Sequence, residues 1–280
     1  MFSTSDISEY YDTTRVHYNH WWKLGKNLSL HYGIWDEGIR SFSESLMNTN
    51  RIMMEIAGIS ENDKVLDAGC GVGGAAIYIN RKKNAEVTGI TLSRNQVDFA
   101  SELVGKNNLA GKVNFRVMDF TRTSFNDESF DVVWACESVC QTADKDAFIR
   151  ESHRLLKKGG RLILSDYFLT DINRPDKHSW IRKWCEKWAM ADLTDCESFI
   201  SCLRNRGFSE IRYFDYSDKI TKSSKRMYLA SLLGAIPSEF YNLFHPGVSR
   251  FARHHYRSGY YQYKALKEGL WQYIILLAVK

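Results

Sequence analysis

The chain has 280 residues, of which 44% are hydrophobic and 25% are charged, and its formal net charge is +5. That length provides for one large domain with a sizeable core, and the composition excludes a disordered, collagen-like or disulfide-stapled protein. The apolar runs are too short to span a membrane, so we expect no transmembrane helix. The first residues lack the features of a secretory signal and the six cysteines lack CxxC spacing. We therefore expect a cytoplasmic protein with reduced thiols.

The hydrophobic pattern divides the chain into four parts. Residues 1–63 are predicted to form a helical cover. Residues 64–217 are predicted to form a ligand-binding core that includes a helical insert at 171–206. Residues 218–265 are predicted to form an inserted lid, and 266–280 the final strand of a sheet. We expect helices in the lid, because structureless loops of that length are uncommon in compact domains.

From residue 64 onward, short apolar runs alternate with helical stretches. The runs are apolar on both faces, as the strands of a buried parallel sheet are. The helical stretches are residues 73–83, 94–105 and 145–157, the last of them predicted to stop at the glycine pair 159–160. This alternation predicts an α/β fold with a doubly wound, mostly parallel sheet of seven strands. The predicted strands are residues 65–68, 87–91, 113–118, 130–135, 161–165, 208–216 and 270–279.

A glycine-rich turn, VLDAGCGVGG at 65–74, follows the first predicted strand. Its glycines allow a tight turn and let a ligand approach the backbone amides. Their spacing also fits the dinucleotide fingerprint, but two residues argue against a dinucleotide. Asp67 would repel a pyrophosphate, and Thr91 stands where an acid for the ribose is expected. A carboxylate at position 67 instead suits a ligand that carries an ammonium group.

These segments resemble the class I S-adenosylmethionine-dependent methyltransferases. VLDAGCGVGG resembles their first motif, and further motifs follow in the expected order: VMDF at 117–120, FDVVW at 130–134 and LLKKGGRL at 155–162. The resemblance covers roughly residues 30–215. It implies a Rossmann-like methyltransferase fold with a helical lid, and S-adenosyl-L-methionine as the cofactor.

Two segments narrow the resemblance to the sterol, tocopherol and cyclopropane-fatty-acid group, which acts on small molecules. They are GITLSRNQ at 89–96 and HYGIWD at 31–36. By this resemblance, Gln96 and the backbone near Leu92 would hold the ribose, and Asp119 would contact the adenine amino group. Tyr32 would contact the cofactor carboxylate or the acceptor. The predicted cofactor-binding residues are Asp67, Gly69, Cys70, Gly71, Thr91, Leu92, Gln96, Asp119, Phe120 and Tyr32.

Two carboxylates are the candidates for catalysis. Glu137 and Asp166 follow the fourth and fifth predicted strands, at the edge of the sheet where ligands bind in doubly wound folds. Each is an acid/base or cation-stabilising candidate, with cofactor orientation as the alternative for Glu137 and loop capping for Asp166. Related small-molecule enzymes place a histidine base a few residues after Glu137, where this chain has Cys140 and Gln141. Methyl transfer needs no metal, and the sequence shows no metal-ligand spacing.

The predicted acceptor contacts are aromatic. Trp180, Trp184 and Trp188 are spaced by four and share a helical face, which suits either core packing or a cover over a flat, apolar acceptor. Trp180, Trp184 and His31 are the predicted substrate residues. The sequence therefore predicts C- or O-methylation of a small, lipophilic or aromatic acceptor.

The basic charge is concentrated at one end of the chain. Residues 200–280 carry a net charge of +8, whereas residues 1–199 carry −3. A solvated surface, an anionic acceptor and nucleic acid are the three explanations. The alternatives to C- or O-methylation of a lipophilic acceptor are N-methylation of a small amine or phospho-base, RNA methylation, and a non-catalytic cofactor-binding protein. We expect no nucleic-acid partner, because no RNA-binding module is recognisable, and the sequence leaves the oligomeric state open.

Overall fold

The computed structural model describes residues 2–22 and 24–280, and its centre is a seven-stranded sheet. The strand order is β3-β2-β1-β4-β5-β7-β6, with β1 to β5 parallel and β7 antiparallel to both of its neighbours. The predicted fold class is confirmed, including the final strand placed between earlier ones. The strands are β1 (Lys64–Ala68), β2 (Glu86–Thr91), β3 (Val113–Val117), β4 (Phe130–Cys136), β5 (Leu156–Leu169), β6 (Ser209–Asp215) and β7 (Trp271–Val279).

Helices precede, connect and follow the strands. Successive residues of a strand face opposite sides of the sheet. Val65 and Ile163 therefore belong to one hydrophobic cluster, whereas the adjacent Leu66 and Leu162 belong to another. The helices are α1 (Thr4–Trp21), α2 (Leu24–Asn27), α3 (Phe42–Ile56), α4 (Gly74–Lys83), α5 (Arg94–Lys106), α6 (Lys145–Leu155), α7 (Trp180–Lys187), α8 (Cys196–Asn205), α9 (Ser217–Phe244), α10 (Arg250–Arg253) and α11 (Arg257–Lys267).

The prediction for the fifth strand was wrong at its start. Helix α6 ends at Leu155, and the glycine pair predicted to end that helix lies inside β5. The amide of Gly159 donates to the carbonyl of Lys280, and the amide of Lys280 donates to the carbonyl of Gly160, both at 2.9 Å. These residues extend the sheet because the last residue of the chain satisfies their backbone groups.

Residues 218–265 are largely helical, as predicted, and α9 packs against α11. A Cβ at Gly259 would lie 2.4 Å from the carbonyl oxygen of Met227, so this glycine permits the close crossing of the two helices. Helix α1 is held above the sheet by Asp12, which accepts a 2.6 Å hydrogen bond from the Ser93 hydroxyl. Within the described residues, no helix is long and apolar enough to cross a membrane.

Candidate active site

The glycine turn adopts a backbone conformation that only glycine enters without strain. Gly69, Gly71 and Gly73 have φ angles of 90°, 51° and 84°. A Cβ at Gly69 would lie 2.3 Å from the Cβ of Ser138, and one at Gly74 would lie 1.8 Å from the carbonyl oxygen of Leu28. The turn is thus packed against the loop after β4 on one side and the N-terminal segment on the other.

A cleft runs along the carboxyl ends of β1, β2 and β4, beneath α1. Its two parts share Tyr11, Gly69, Gly71 and Gln141. The structure brings most of the predicted site residues together here. Those that line the cleft are His31, Asp67, Gly69, Cys70, Gly71, Thr91, Leu92, Gln96, Phe120 and Glu137.

Asp67 is a buried carboxylate with one oxygen, Oδ2, that has no hydrogen-bond partner among the described residues. Burial raises the pKa of Asp67 to about 7, while a hydrogen bond from the Ala76 amide acts in the opposite direction. A buried hydrogen-bond acceptor without a partner costs free energy, and a cationic ligand in the cleft would relieve that cost.

At the other end of the cleft, Thr91 and Gln96 form a pair. The hydroxyl of Thr91 donates to Oε1 of Gln96 at 2.6 Å. This hydrogen bond occupies the oxygen of the Gln96 side-chain amide and fixes the orientation of that group. Ser93 caps α5 by accepting from the amide of Gln96, and it also donates to Asp12 of α1. The ribose role of Gln96 stays a prediction, with its NH₂ group as the donor.

Asp119 lies in the turn after β3, and it does not line the cleft. Its Oδ1 accepts from both the amide and the hydroxyl of Thr121, at 2.8 and 2.7 Å. The neighbouring Met118 and Phe120 line the cleft instead. The adenine contact of Asp119 therefore stays a prediction, while its visible role is to shape this turn.

Glu137 is the centre of a buried hydrogen-bond network. Its Oε1 accepts from the amide of Tyr32 at 2.6 Å and from the hydroxyl of Tyr273 at 2.7 Å. Its Oε2 accepts from the hydroxyl of Tyr167. Burial raises the pKa of Glu137 to about 8, against the effect of these three donors. The carboxyl group thus joins the N-terminal segment to β5 and β7, and it borders the cleft.

Asp166 was predicted to face the cleft as a second catalytic acid, and the structure places it elsewhere. Its Oδ2 accepts from the amide of Cys140 at 2.8 Å, and its Oδ1 accepts from the amide of Tyr167 at 2.9 Å. It does not line the cleft. Because both oxygens are bound to backbone donors, Asp166 holds the loop after β4, which is the loop-capping alternative.

His31 lines the cleft and has one nitrogen without a hydrogen-bond partner among the described residues. Its Nδ1 lies 2.9 Å from the carbonyl oxygen of Tyr32, and since a carbonyl only accepts, Nδ1 carries the proton. Its Nε2 is buried and has no partner in the described part of the chain. Burial lowers the pKa of His31 to about 4, so the ring is neutral at pH 7 with its lone pair on Nε2.

Three of the predicted aromatic contacts do not line the cleft, and their roles toward cofactor or acceptor stay predictions. The hydroxyl of Tyr32 donates to Gln262, away from the cleft, and Trp184 is fully buried beside Trp271. Trp180 stacks on Tyr261 and also lies outside the cleft. These residues form the aromatic core that supports the site. Of the three spaced tryptophans, the one that lines the cleft is Trp188.

A second, more apolar cavity adjoins the cleft at Trp188. Met227, Ala230 and Gly234 of α9 line it, together with Gly259 of α11. The cavity continues past Gly234 to a wide mouth between α1, α9 and α10. Among the described residues, no lysine or arginine lines the cleft or this cavity, although Arg253 lies at the mouth. The sequence missed this cavity because its walls come from four separated helices and segments.

Comparison with known proteins identifies the family. A family model described as a methyltransferase domain matches residues 66–164. The methyltransferase GfsG of Streptomyces halstedii is 28% identical over 76% of this chain and 76% of its own length. The 27-O-demethylrifamycin SV methyltransferase of Amycolatopsis mediterranei is 37% identical over 50% of this chain and 52% of that enzyme. The chain is a class I S-adenosylmethionine-dependent methyltransferase.

Other relatives of this methyltransferase are named as tocopherol O-, phosphoethanolamine N- and sterol C-methyltransferases, so small molecules are the substrate class of its family. The match covers only 36% of one plant phosphoethanolamine enzyme. Among solved structures, the [4+2]-cyclase SpnF superposes with a TM-score of 0.82 at 24% identity, covering 100% of this chain and 97% of SpnF. That likeness concerns the fold alone, and SpnF is named for a cyclisation rather than for methyl transfer.

The cleft of this methyltransferase fits its cofactor. S-adenosylmethionine carries an ammonium and a sulfonium group, and Asp67 supplies a buried carboxylate with an unpaired oxygen. Gly69 and Gly71 line the same cleft, and neither has a side chain that would keep a ligand from the backbone. When bound, the cofactor supplies an activated methyl group.

The titration of Asp67 should govern cofactor affinity. The cationic cofactor would pair with the ionised carboxylate, and a pKa near 7 leaves about a tenth of Asp67 ionised at pH 6 but most of it at pH 8. Calorimetry should therefore show affinity for S-adenosylmethionine rising about tenfold between these pH values.

Asp67→Asn should bind the cofactor at least ~10-fold more weakly at pH 8, because the charge pairing is lost, and should show no such rise. The exposed Asp98, changed to Asn, is the matched control and should behave as the wild type. A wild-type affinity that stays constant from pH 6 to pH 8 would contradict this role of Asp67.

Proposed function

We propose that this enzyme methylates a small, lipophilic acceptor, aromatic or otherwise apolar, at an oxygen or a carbon. The observation that carries the proposal is the apolar cavity that adjoins the cofactor cleft at Trp188. Its walls, which include Trp22, Met227 and Ala230, suit an uncharged molecule held by burial of apolar surface. An acceptor in this cavity would have its reacting end at the cleft.

His31 is the group we assign to the reacting end of the acceptor. The reaction would move a methyl group from the sulfonium, which would leave as a neutral thioether, to an acceptor oxygen or carbon, and the proton lost by the acceptor would pass to solvent. The lone pair on Nε2 would accept a hydrogen bond from an acceptor hydroxyl or enol and draw electron density onto the nucleophile. Asp67 would bind the cofactor.

Glu137 would act by positioning. Each of its oxygens already accepts a hydrogen bond from the protein, and its raised pKa disfavours the charged form that a general base needs. Its network holds Tyr32, and therefore the adjacent His31, against the sheet. Positioning of His31 is a third role for Glu137, beside the catalytic and cofactor-orienting roles that the sequence predicted.

The anionic-acceptor alternative finds less support. A phosphate would call for lysine or arginine near the cleft, and the described lining has none. Three of the basic residues after residue 217 are paired with acids: Lys219 with Asp36, Arg250 with Asp6, and Arg257 with Glu239. The same arrangement weighs against RNA. The tocopherol and rifamycin relatives are named without a phosphate-bearing substrate and the phosphoethanolamine relatives with one, so the cavity lining and not the relatives favours the lipophilic alternative.

The proposal predicts where a labelled methyl group goes. With methyl-labelled S-adenosylmethionine and a cell extract, the label should enter a neutral product that partitions into organic solvent. Mass spectrometry of that product should show the gain of one methyl group. Label confined to RNA or to phosphate-bearing bases would contradict the proposal.

Filling the cavity tests the acceptor site in the same assay. Ala230→Phe should lower transfer about 100-fold, because the new ring occupies space needed by the acceptor, while cofactor affinity stays within a few-fold. Leu229→Phe, on the exposed side of the same helix, is the matched control and should stay near wild type. Equal activity of the two variants would show that the acceptor binds elsewhere.

His31→Asn tests the assigned hydrogen-bond acceptor. Loss of the Nε2 lone pair should lower the rate of methyl transfer about 100-fold at saturating cofactor. Calorimetry should give a cofactor affinity within a few-fold of wild type. If affinity falls and the saturated rate is unchanged, His31 holds the cofactor and the assignment is wrong.

A further inference from the structure

Helix α9 carries an unusual concentration of exposed apolar side chains in its C-terminal half. Ile236, Leu243 and Leu233 are 82%, 78% and 72% exposed. Soluble surfaces rarely expose so much contiguous apolar area without a partner. The exposed apolar residues of this helix are Leu229, Leu232, Leu233, Ile236, Phe240, Tyr241, Leu243 and Phe244, here called the α9 face.

Exposed cations continue the same face toward the start of the helix. Lys222, Lys225 and Arg226 precede Leu229 by seven, four and three residues, so they lie on the same side of α9. Lys222 lies over the ring of Trp35 and Arg226 over that of Phe42, and all three cationic residues remain exposed. The face is therefore basic at one end and apolar at the other.

We propose that the α9 face docks on a lipid bilayer that contains anionic lipids. Its apolar end would enter the boundary between headgroups and acyl chains, where side chains such as Ile236 and Leu243 leave water. Its basic end, at Lys222 and Lys225, would remain among the negatively charged headgroups. The helix would thus lie tilted, with its C-terminal half deeper.

The position of the cavity mouth fits this orientation. Gly234, Pro237 and Tyr241 of the same half of α9 line the mouth, next to the α9 face. A lipophilic acceptor dissolved in the bilayer would reach the cavity without crossing water. This route rests on the proposed function, whereas the docking itself does not.

A second copy of the chain fits the face less well. Two copies paired in parallel would place the cations at Lys222 and Lys225 against those of the partner. An antiparallel pair would place those cations against the apolar end, around Phe240 and Phe244, and would bury charge without a partner. A bilayer that contains anionic lipids offers negative headgroups to the basic end and an apolar interior to the other end.

Vesicle flotation tests the docking directly. The full-length protein should float with vesicles made of equal parts phosphatidylcholine and phosphatidylglycerol, and much less with phosphatidylcholine alone. The double variant Leu233→Asp/Ile236→Asp should partition at least ~10-fold more weakly, because two inserted side chains become charged. Ile172→Asp is the matched control, since Ile172 is 60% exposed but lies outside α9, and it should bind as the wild type.

The cations are tested separately. Lys222→Gln/Lys225→Gln should lower binding to the anionic vesicles by about tenfold or more at low salt and should leave binding to neutral vesicles unchanged. Both Lys side chains are exposed, so the fold should persist, which circular dichroism checks.

Three outcomes would overturn the proposal. One is a wild-type protein that stays unbound to anionic vesicles, and another is a double variant that binds as well as wild type. The third is a wild-type dimer in sedimentation velocity that dissociates in Leu233→Asp/Ile236→Asp, while neither protein binds vesicles. That result would assign the α9 face to a second copy of the chain. Because flotation needs no acceptor, its failure leaves the proposed function standing, and a missing lipophilic product leaves the docking standing.

Discussion

The hydrogen-bond network around the Glu137 carboxyl group is the interaction on which the site depends. It joins segments far apart in sequence: the loop after β4, the amide of Tyr32, Tyr167 of β5 and Tyr273 of β7. A buried carboxyl group is costly unless its oxygens are satisfied, and here three donors satisfy them. The N-terminal segment is therefore held against the edge of the sheet, where it forms one wall of the cofactor cleft.

Three buried titratable groups at this cleft have different environments and therefore different roles. Asp67 has an unpaired oxygen and so is ready for a cation. Glu137 is satisfied by the protein and so is suited to holding it together. One nitrogen of His31 donates to a carbonyl and the other has no partner among the described residues, so the neutral ring can accept a hydrogen bond at pH 7. Burial shifts the pKa of all three, but the hydrogen-bond partners decide what each can do.

The sequence predicted the fold and most of the cofactor cleft, because those features are local. A buried strand, a glycine turn and a helix follow one another directly, so the cleft residues from Asp67 to Gly71 needed no long-range information. The prediction failed where contacts between distant segments determine the structure. The Gly159–Gly160 pair joins a strand because the last residue of the chain pairs with it.

Long-range packing also decided which side chains reach the site. Asp166 and Tyr32 belong to segments that border the cleft, but backbone amides and Gln262 engage their polar groups elsewhere. Periodicity identified one face bearing Trp180, Trp184 and Trp188, yet it could not show that only Trp188 borders the cleft. The apolar cavity was unpredictable for the same reason, because α1, α9 and α11 meet only in the folded chain.

Hydrogen–deuterium exchange of Glu137→Ala tests whether this network anchors the N-terminal segment. We predict that exchange in residues 28–36 becomes at least ~10-fold faster, while β1 and β2 keep their protection. Glu151→Ala removes another buried carboxylate, which binds Thr123 and Arg154, and should leave residues 28–36 unchanged. Unchanged protection of residues 28–36 in Glu137→Ala would show that other contacts anchor this segment.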